Sequence, residues 1–318
     1  CKNARICILA LVYITFIGSM LIANDMALLT FLPLGLLVLT STGKEKYMAF
    51  TFIMQNIAAN LGGMLTPFGN PQNLYLYSYF NIPAGEFMQI MFPPFMFAII
   101  LITLCCIVFV KPEALVLKGS SVNLNAKRTV LYLLLFAFSI IIVFRIIPYW
   151  TGLIVIPAAL LILDRKALAM VDYPLLGTFA AFFVFSGNMS RIDAVQRLFS
   201  FLLERSTLLF SSLSCQVISN VPSAILLSRF TADYQDLLVG VNIGGCGTLI
   251  ASLASLITFR EYKGFAEYQT MFTEDLPGHA GRVSHTSVYI AKFSAFNFAF
   301  LGLLLGFMFL LKHLGWVR

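Results

Sequence analysis

The sequence contains little charge. Asp, Glu, Lys and Arg make up 11% of its 318 residues, whereas 59% are hydrophobic and the mean hydropathy is +0.89. A soluble domain of this length does not need so much apolar surface and would aggregate. The apolar residues also form runs of about 20 residues, which is the length that spans a bilayer. The composition therefore excludes soluble enzymes and nucleic-acid-binding proteins, and it predicts an all-α polytopic membrane protein.

Groups for metal, redox or acid–base chemistry are also few. The six cysteines include no C-x-x-C pair, which argues against a disulfide framework or a zinc site. The three histidines show no H-E-x-x-H spacing, which argues against a metalloprotease. An intramembrane enzyme would need paired aspartates or a Ser/His pair at membrane depth, and Asp25 is predicted to lie there without a partner. We therefore expect no enzyme activity, no metal and no cofactor beyond a coupling ion.

The net charge of +7 comes from basic residues in short loops between apolar runs. That distribution is typical of cytoplasmic loops rather than of a nucleic-acid-binding surface. No signal peptide is visible in the sequence. We predict a multi-pass protein of the cell (inner) membrane, with the lipid bilayer as its partner and no nucleic acid.

A short polar motif occurs twice in the chain. Residues 60–66 (NLGGMLT) align with residues 242–248 (NIGGCGT), and each motif is preceded by an asparagine at the end of an apolar run, at Asn24 and Asn220. The two polar interruptions recur in the same order in both halves. This order predicts a duplicated membrane transporter with a paired binding site.

The two kinds of interruption predict two kinds of element. Residues 6–40 and 206–228 are each interpreted as a re-entrant hairpin of two half-length helices, with ordinary spanning helices as the alternative. Residues 47–80 and 237–258 are interpreted as broken transmembrane helices. With re-entrant hairpins and a cytoplasmic N-terminus, most Lys and Arg residues face the cytoplasm. The same path gives the two halves opposite orientations, so we predict inverted repeats.

The rest of the chain completes this plan. Apolar runs predict spans at residues 87–110, 129–144, 147–163, 174–189 and 285–311. Residues 190–205 predict an interfacial amphipathic helix, and residues 259–284 predict a polar loop.

We predict three domains from these elements. They are a first repeat at residues 1–110, a basic cytoplasmic linker at 111–128 and a second repeat at 129–318. Fewer residues precede the hairpin in the first half than in the second, so we expect the leading helices of the first repeat to be missing.

The interruptions offer binding groups for both an anion and a cation. A helix that stops inside a membrane leaves backbone groups without partners, and such a break persists only where it lines a cavity or binds a ligand. Helix N-termini attract anions, and the carbonyl groups at the opposite ends suit Na⁺. The candidate substrate-binding residues lie at these interruptions: Asn24, Asn60, Gly62, Gly63, Thr66, Asn70, Asn73, Ser219, Asn220, Ser223, Asn242, Gly244, Gly245, Thr248 and Ser252.

Simpler interpretations exist for these residues. Glycine pairs in membrane helices often serve close packing, and a lone asparagine often bonds a neighbouring helix. Asp25 is a candidate ligand of the coupling ion together with Asn24 and Asn220, because a carboxylate at membrane depth costs about 3 kcal/mol or more and is usually functional. Its alternative role is to cap the helix from residue 26 onward. Cys246 is interpreted as a small apolar filler, although a thiol is also a ligand for a soft metalloid.

The chain resembles the ion transporter superfamily, which includes citrate permeases, divalent-anion/Na⁺ symporters, arsenite permeases and one group of Na⁺/H⁺ antiporters. The resemblance is carried by Asn24-Asp25 and by residues 66–73 (TPFGNPQN), 219–222 (SNVP) and 240–250 (GVNIGGCGTLI). It implies two inverted repeats, each with a re-entrant hairpin and a broken helix, and alternating access of the elevator type. It also implies a possible homodimer, because dimers are common among the divalent-anion members.

The hairpin tips depart from the Ser-Asn-Thr signature of the divalent-anion symporters. The first tip reads Ala23-Asn24-Asp25 and is more similar to the arsenite and citrate-permease branches. No Lys or Arg lies at the breaks, which argues against tight binding of trivalent citrate unless a cation enters with it. We predict a secondary active transporter of a small anion, a carboxylate or an oxyanion, coupled to Na⁺ or H⁺. The alternatives are a metalloid efflux permease, a Na⁺/H⁺ antiporter and a non-transporting fragment of a permease.

Overall fold

The structure is a computed structural model that describes residues 3–115, 126–171, 173–273 and 285–316. Its regular structure within these ranges is helical, apart from one isolated antiparallel bridge between Asn3 and Ala114. The chain divides into two compact units, one formed by residues 1–117 and 189–318 and the other by residues 118–188. Residues 116–125 of the predicted linker lie outside the described residues, so the predicted domain boundaries stay a prediction.

The larger unit contains both predicted hairpins and both predicted breaks. Its helices are α1 (Ala4–Ile22), α2 (Asn24–Ser41), α3 (Met48–Gly62), α4 (Pro71–Tyr79) and α5 (Ala84–Phe109). The smaller unit contributes α6 (Ala126–Val143), α7 (Tyr149–Leu163), α8 (Arg165–Ala169) and α9 (Tyr173–Met189). The larger unit resumes with α10 (Asp193–Arg205), α11 (Thr207–Ile218), α12 (Asn220–Leu227), α13 (Tyr234–Ile243), α14 (Leu253–Thr273) and α15 (His285–His313).

Four of the described helices are long and apolar enough to cross a membrane by length and composition, namely α1, α2, α5 and α15. Further apolar helices of 10–17 residues lie in α6, α7, α9 and α11. Large apolar side chains on these helices point outward, such as Leu37 and Val108, whose exposed fractions are 63% and 70%. Such surfaces suit lipid rather than water. The chain is therefore an all-α, multi-pass membrane protein.

Each predicted hairpin tip is a single residue with an unusual backbone conformation. Ala23, between α1 and α2, has φ 65° and ψ 153°, and Ser219, between α11 and α12, has φ 71° and ψ 158°. Side-chain-bearing residues rarely adopt this region, which costs of order 1–3 kcal/mol. Because the two residues occupy corresponding positions of the repeat, both hairpins turn in the same way.

The two hairpins differ in length. Helices α1 and α2 have 19 and 18 residues, whereas α11 and α12 have 12 and 8. At about 1.5 Å per residue, the first pair approaches the roughly 30 Å of a bilayer core and the second pair falls far short of it. The first hairpin begins two residues earlier than predicted, at a cap in which Asn3 Oδ1 accepts a hydrogen bond from the Arg5 backbone N–H.

Both predicted helix breaks are confirmed. Helix α3 ends at Gly62 and passes through a 3₁₀ turn into extended backbone, and α4 starts at Pro71, where the missing N–H of proline costs nothing. Helix α13 ends at Ile243, and α14 starts at Leu253 after a second 3₁₀ turn. The glycines, prolines and asparagines of these stretches are what marked the breaks in the sequence.

The core lies around α3, in which every residue from Thr51 to Gly62 is buried. In each half, the first hairpin arm packs against the first part of the broken helix, α1 on α3 and α11 on α13. The second arms pack across the halves, α2 on α14 and α12 on α4. The two halves are therefore interlocked around the breaks.

The predicted polar loop at residues 259–284 is wrong over its first part, because α14 continues to Thr273. Tyr262 is buried and stacks on Tyr289 of α15 with ring centroids 3.9 Å apart. Lys263 forms an exposed i,i+4 ion pair with Glu267. The mixture of charged and apolar residues is that of an amphipathic helix. The packing of Tyr262 on α15 stabilises this helix. Residues 274–284 of the predicted loop lie outside the described residues.

A cluster of hydrogen bonds on Glu113 joins the end of the first half to the α2–α3 connection. The carboxylate accepts from Lys44 Nζ at 2.7 Å, from Lys46 Nζ at 2.5 Å and from the Tyr47 hydroxyl at 3.1 Å. The hydrogen bonds from the two lysines lower the pKa of the Glu113 carboxyl from 4.5 to about 2.

This lowered pKa predicts a pH dependence of stability. Because the folded-state pKa lies below the unfolded value, the cluster stabilises the protein above pH 4.5, and this contribution is lost as the pH falls toward 2. Thermal unfolding of the purified protein should show a lower midpoint for Glu113→Gln at pH 7 than for the unsubstituted protein, and a smaller difference near pH 3. The matched control is Glu267→Gln in the exposed pair, for which we expect little change. A constant difference between pH 7 and pH 3 would contradict the prediction.

Candidate functional site

A buried network of amide side chains lies where the breaks and hairpin tips meet. Asn60, at the end of α3, is 1% exposed. Its Oδ1 accepts a hydrogen bond from Asn24 Nδ2 of the first hairpin at 3.1 Å and another from Ser252 Oγ of the second half at 2.9 Å. One amide thus joins a hairpin tip of its own half to the break of the other half.

Asn242, which corresponds to Asn60 in the second half, is the second centre of this network. Its Oδ1 accepts from Asn70 Nδ2 at 3.0 Å and from Gln72 Nε2 at 3.2 Å. Its Nδ2 donates to Asn73 Oδ1 at 2.6 Å. All of these partners belong to the first half.

The contacts between the halves are reciprocal. Asn70 follows Asn60 by ten residues and bonds Asn242, while Ser252 follows Asn242 by ten residues and bonds Asn60. The same two positions of the repeat thus meet twice, once in each direction between the halves. The duplicated motif therefore corresponds to a duplicated set of contacts.

The threonines of the two motifs also make matching hydrogen bonds. Thr66 Oγ1 donates to the Met20 carbonyl at 2.7 Å, and Thr248 Oγ1 donates to the Gln216 carbonyl at 3.0 Å. Each acceptor lies four residues before the hairpin asparagine of its half. Each threonine thus connects the break of its half to the hairpin of the same half by a hydrogen bond.

Each hairpin asparagine is the first residue of the helix that follows it, and its side chain accepts a hydrogen bond from the next backbone N–H. Asn24 Oδ1 accepts from the Asp25 N–H, and Asn220 Oδ1 accepts from the Val221 N–H, both at 2.9 Å. Asn220 also lies against the second break, since a Cβ at Gly245 would come within 3.1 Å of its Nδ2. The hairpin tips therefore have the same local structure in both halves.

Four helices begin within this network. Helix α2 starts at Asn24 and α12 at Asn220, while α4 starts directly after Asn70 and α14 directly after Ser252. Each helix N-terminus carries roughly half a positive charge. Four helices, α1, α3, α11 and α13, end at the same tips and breaks and carry the opposite partial charge there. The site therefore presents backbone N–H groups for an anion beside carbonyl groups for a cation.

The glycines of the motif let main chains approach closely. A Cβ at Gly62 would lie 2.3 Å from the Phe16 carbonyl oxygen, and one at Gly63 would lie 2.3 Å from Asn70 Oδ1. A Cβ at Gly244 would lie 2.8 Å from Cys215 Sγ. Close packing of the hairpins on the breaks thus accounts for Gly62 and Gly244, and close approach within the first break accounts for Gly63. Any role of these glycines in holding substrate stays a prediction.

Asp25 lies in the first turn of α2, and its Oδ1 is buried without a hydrogen-bond partner among the described residues. Ser219 Oγ approaches the Ala251 carbonyl at 3.4 Å. The structure does not bring Ser223 into the network through its hydroxyl, because Ser223 Oγ is hydrogen-bonded to Ser214 Oγ of α11 at 2.9 Å.

Two glutamines of the network were absent from the predicted site. Gln72 bonds Asn242, and Gln216 bonds the backbone of the second break. Gln216 is the one amide side chain of α11, whose other residues are apolar, Ser, Thr or Cys. Polar side chains in membrane helices commonly bond a neighbouring segment. The sequence therefore indicates that Gln216 bonds another segment, but it does not show that this segment is the second break.

The site offers few metal ligands. Within the described residues, no group of three or more His, Cys, Asp and Glu side chains is placed to hold a metal ion. Cys215 is buried beside the second break and donates to the Ser211 carbonyl at 3.2 Å, and Cys246 is buried as well. The network consists of amides, hydroxyls and main-chain groups.

A multi-pass membrane protein with paired helix breaks around a buried polar centre belongs to the class of membrane transporters. The comparison with protein families specifies this class further. A model of the citrate transporter family matches residues 1–238, and the chain belongs to that family.

Two curated proteins are similar to the chain. A protein of Methanocaldococcus jannaschii, named as an uncharacterized transporter, is 36% identical over 268 residues, which cover 83% of the chain and 73% of that protein. The inner membrane protein YbiR of Escherichia coli K12 is 30% identical over 251 residues, which cover 76% of the chain and 66% of that protein.

Proposed function

We propose that the protein is a secondary active transporter that moves a small anion, a carboxylate or an oxyanion, across the inner membrane by alternating access. The observation that carries this proposal is the convergence of four helix N-termini on one buried network of amides. Such N-termini bind anions through backbone N–H groups and the helix dipole. The family membership and the names of the relatives support transport in general.

We propose that the halves are inverted repeats with re-entrant hairpins. The reciprocal bonds of Asn70 and Ser252 support a two-fold relation between the halves. The short arms of the second hairpin, 12 and 8 residues, support re-entrance, because neither can cross the bilayer core. The longer arms of the first hairpin are compatible with a full crossing, so the second hairpin carries this part of the proposal. The homodimer stays a prediction.

The coupling ion, Na⁺ or H⁺, is proposed to bind near Asp25. Its buried Oδ1 has no hydrogen-bond partner among the described residues, and Asn70 Oδ1 and Gln72 Oε1 share this property. Buried oxygen atoms without donors suit a cation or a proton. The same carboxylate favours a Na⁺/H⁺ antiporter as the second candidate, and the buried Cys246 beside the break gives a weaker case for a metalloid efflux permease.

The proposal predicts different effects for two substitutions. In proteoliposomes, a membrane potential supplies about 2.3 kcal/mol per charge per 100 mV, which is about 50-fold accumulation for one coupled charge. Asp25→Asn should abolish gradient-driven accumulation because it removes the ligand of the coupling ion. Exchange of solute in the absence of a gradient should remain unchanged. Asn220→Ala should lower both, because it removes a group of the binding site. The measurement is uptake of carboxylates, oxyanions, arsenite and Na⁺ under imposed Na⁺ or H⁺ gradients.

Asp193→Asn is the matched control, because this exposed carboxylate also lies in the first turn of a helix, α10. It should leave accumulation unchanged. Unaltered gradient-driven uptake in both Asp25→Asn and Asn220→Ala would rule out the proposed site. Efflux of Na⁺ driven by H⁺, without anion uptake, would favour the antiporter instead.

A further inference from the structure

We infer that Asn73 and Gln216 are paired positioning residues, each of which holds the open carbonyl groups of one helix break with a single side-chain amide nitrogen. They do so from positions that do not correspond in the duplicated sequence. The inference rests on the proposed function only where transport is the readout, because the contacts themselves are independent of what the protein carries.

Asn73 closes the first break from within its own broken helix. Its Nδ2 lies 3.1 Å from the carbonyl oxygen of Gly63 and 3.2 Å from those of Met64 and Thr66. These carbonyls follow the end of α3 and so lack the N–H groups that a continuing helix would supply. The Oδ1 of the same amide accepts from Asn242. The side chain predicted from the sequence to bind substrate is thus fully engaged within the protein.

Gln216 closes the second break from the hairpin arm α11. Its Nε2 lies 2.9 Å from the Gly244 carbonyl oxygen and 3.0 Å from that of Cys246, while its Oε1 accepts from the Thr248 N–H at 2.8 Å. A Cβ at Gly247 would lie 2.0 Å from this Oε1, and Gly247 has a φ of +128° that favours glycine. The backbone of the break is therefore shaped around the glutamine amide.

The two amides occupy different positions of the repeat. When Asn24 is aligned with Asn220, Gln216 corresponds to Met20, which has no amide. When the breaks are aligned instead, Asn73 corresponds to Ser255, whose Oγ accepts from Asn56 at 3.3 Å. Each half thus has the amide that the other lacks at that position.

In both breaks a side-chain amide nitrogen bonds the carbonyl groups, although the amide comes from a different position of the repeat. This indicates that both breaks require such a donor. Unpaired carbonyl groups in a buried site are costly, and their partial negative charge would repel an anion beside them. An amide nitrogen that bonds to these carbonyl groups offsets that cost and weakens that repulsion. The two breaks differ in the helix that supplies the amide. Asn73 of α4 bonds the first break, and Gln216 of the hairpin arm α11 bonds the second.

The decisive experiment replaces each of the two amide residues by the residue at the corresponding position of the other half. Gln216→Met and Asn73→Ser each introduce the residue that stands at the corresponding position of the other half. Hydrogen exchange of the purified protein in detergent should become about tenfold faster at residues 244–248 in the first variant and at residues 63–66 in the second, with the other break unaffected. Amides of α5 serve as the internal control.

The rescue test adds Met20→Gln and Leu65→Gly to Asn73→Ser. Met20 and Gln216 each accept a threonine hydroxyl through their main chain, and Leu65 stands where Gly247 leaves room for the glutamine amide, so the two added substitutions reproduce the relation of Gln216 to its break. The triple variant should regain most of the protection at residues 63–66 and most of the uptake lost by Asn73→Ser. A residue that served only general stability would not be replaced from another helix.

Two results would overturn the inference: unchanged exchange at residues 244–248 in Gln216→Met, or no rescue by Met20→Gln together with Leu65→Gly. If Gln216→Met does not fold, Gln216→Glu takes its place, because it loses the amide donor and keeps the acceptor for the Thr248 N–H. Exchange must then become faster at residues 244–247, while the Thr248 amide stays protected. Absence of uptake by the unsubstituted protein would refute the proposed function and leave the exchange test unaffected.

Discussion

Asn242→Ala is expected to lower the free energy of unfolding by about 3 kcal/mol and to abolish uptake. The substitution removes the acceptor of Gln72 Nε2 and the donor to Asn73 Oδ1, and both partners are buried at 1% exposure or less. Each buried polar group that loses its partner costs about 1–3 kcal/mol. Asn70 Nδ2 keeps its bond to the Asn60 carbonyl, so two unpaired groups remain rather than three.

The matched control for this substitution is Asn297→Ala. Asn297 is equally buried, but its amide makes a single hydrogen bond, to the Phe293 carbonyl one turn earlier in α15, and its Oδ1 has no partner among the described residues. Its removal leaves no side chain of another element unpaired. We therefore expect a loss of about 1 kcal/mol or less and nearly normal uptake. Equilibrium unfolding and proteoliposome uptake measure both effects, and equal losses in the two variants would contradict the special role of the network.

The elements around the site could be predicted because their signals are local. Glycine, proline and asparagine interrupt otherwise apolar runs, and α3 and α4 end and begin where residues 60–73 indicated. The hairpin tips were recognisable from Asn24 and Asn220 for the same reason. The repetition of both signals in one order also predicted that the two breaks would share a site, and the hydrogen bonds between the halves bring them together.

The hydrogen-bond partners within the site could not be predicted, because they depend on packing between distant segments. Nothing in the sequence shows that Gln216 lies opposite residues 244–248, or that Asn73 faces the carbonyls of its own break. The incorrect loop at the start of residues 259–284 has a similar origin. Its charges suggested a loop, whereas the stacking of Tyr262 on Tyr289 supports a helix there.

The duplicated Gly-Gly pair shows how a structural and a functional explanation combine. Gly62 packs on the α1 arm of the first hairpin and Gly244 packs on the α11 arm of the second, at the corresponding residues Ser19 and Cys215. Tight packing of these arms is also what places Asn24 within hydrogen-bonding distance of the first break. The simpler interpretation, close helix packing, is therefore a condition for the site rather than an alternative to it.

Gly62→Ala is accordingly expected to destabilise the protein by about 1–3 kcal/mol and to lower uptake at least about tenfold. The new Cβ would lie 2.3 Å from the Phe16 carbonyl oxygen and 2.6 Å from Ser19 Oγ, so α1 must move away from α3 and Asn24 away from the break. Adding Ser19→Gly should not restore uptake, because the contact with the main chain of Phe16 persists. The control is Gly302→Ala in α15, where a Cβ meets no atom within 4 Å and alanine favours the helix. Normal uptake and a normal unfolding midpoint in Gly62→Ala would show that the hairpin does not need this close approach.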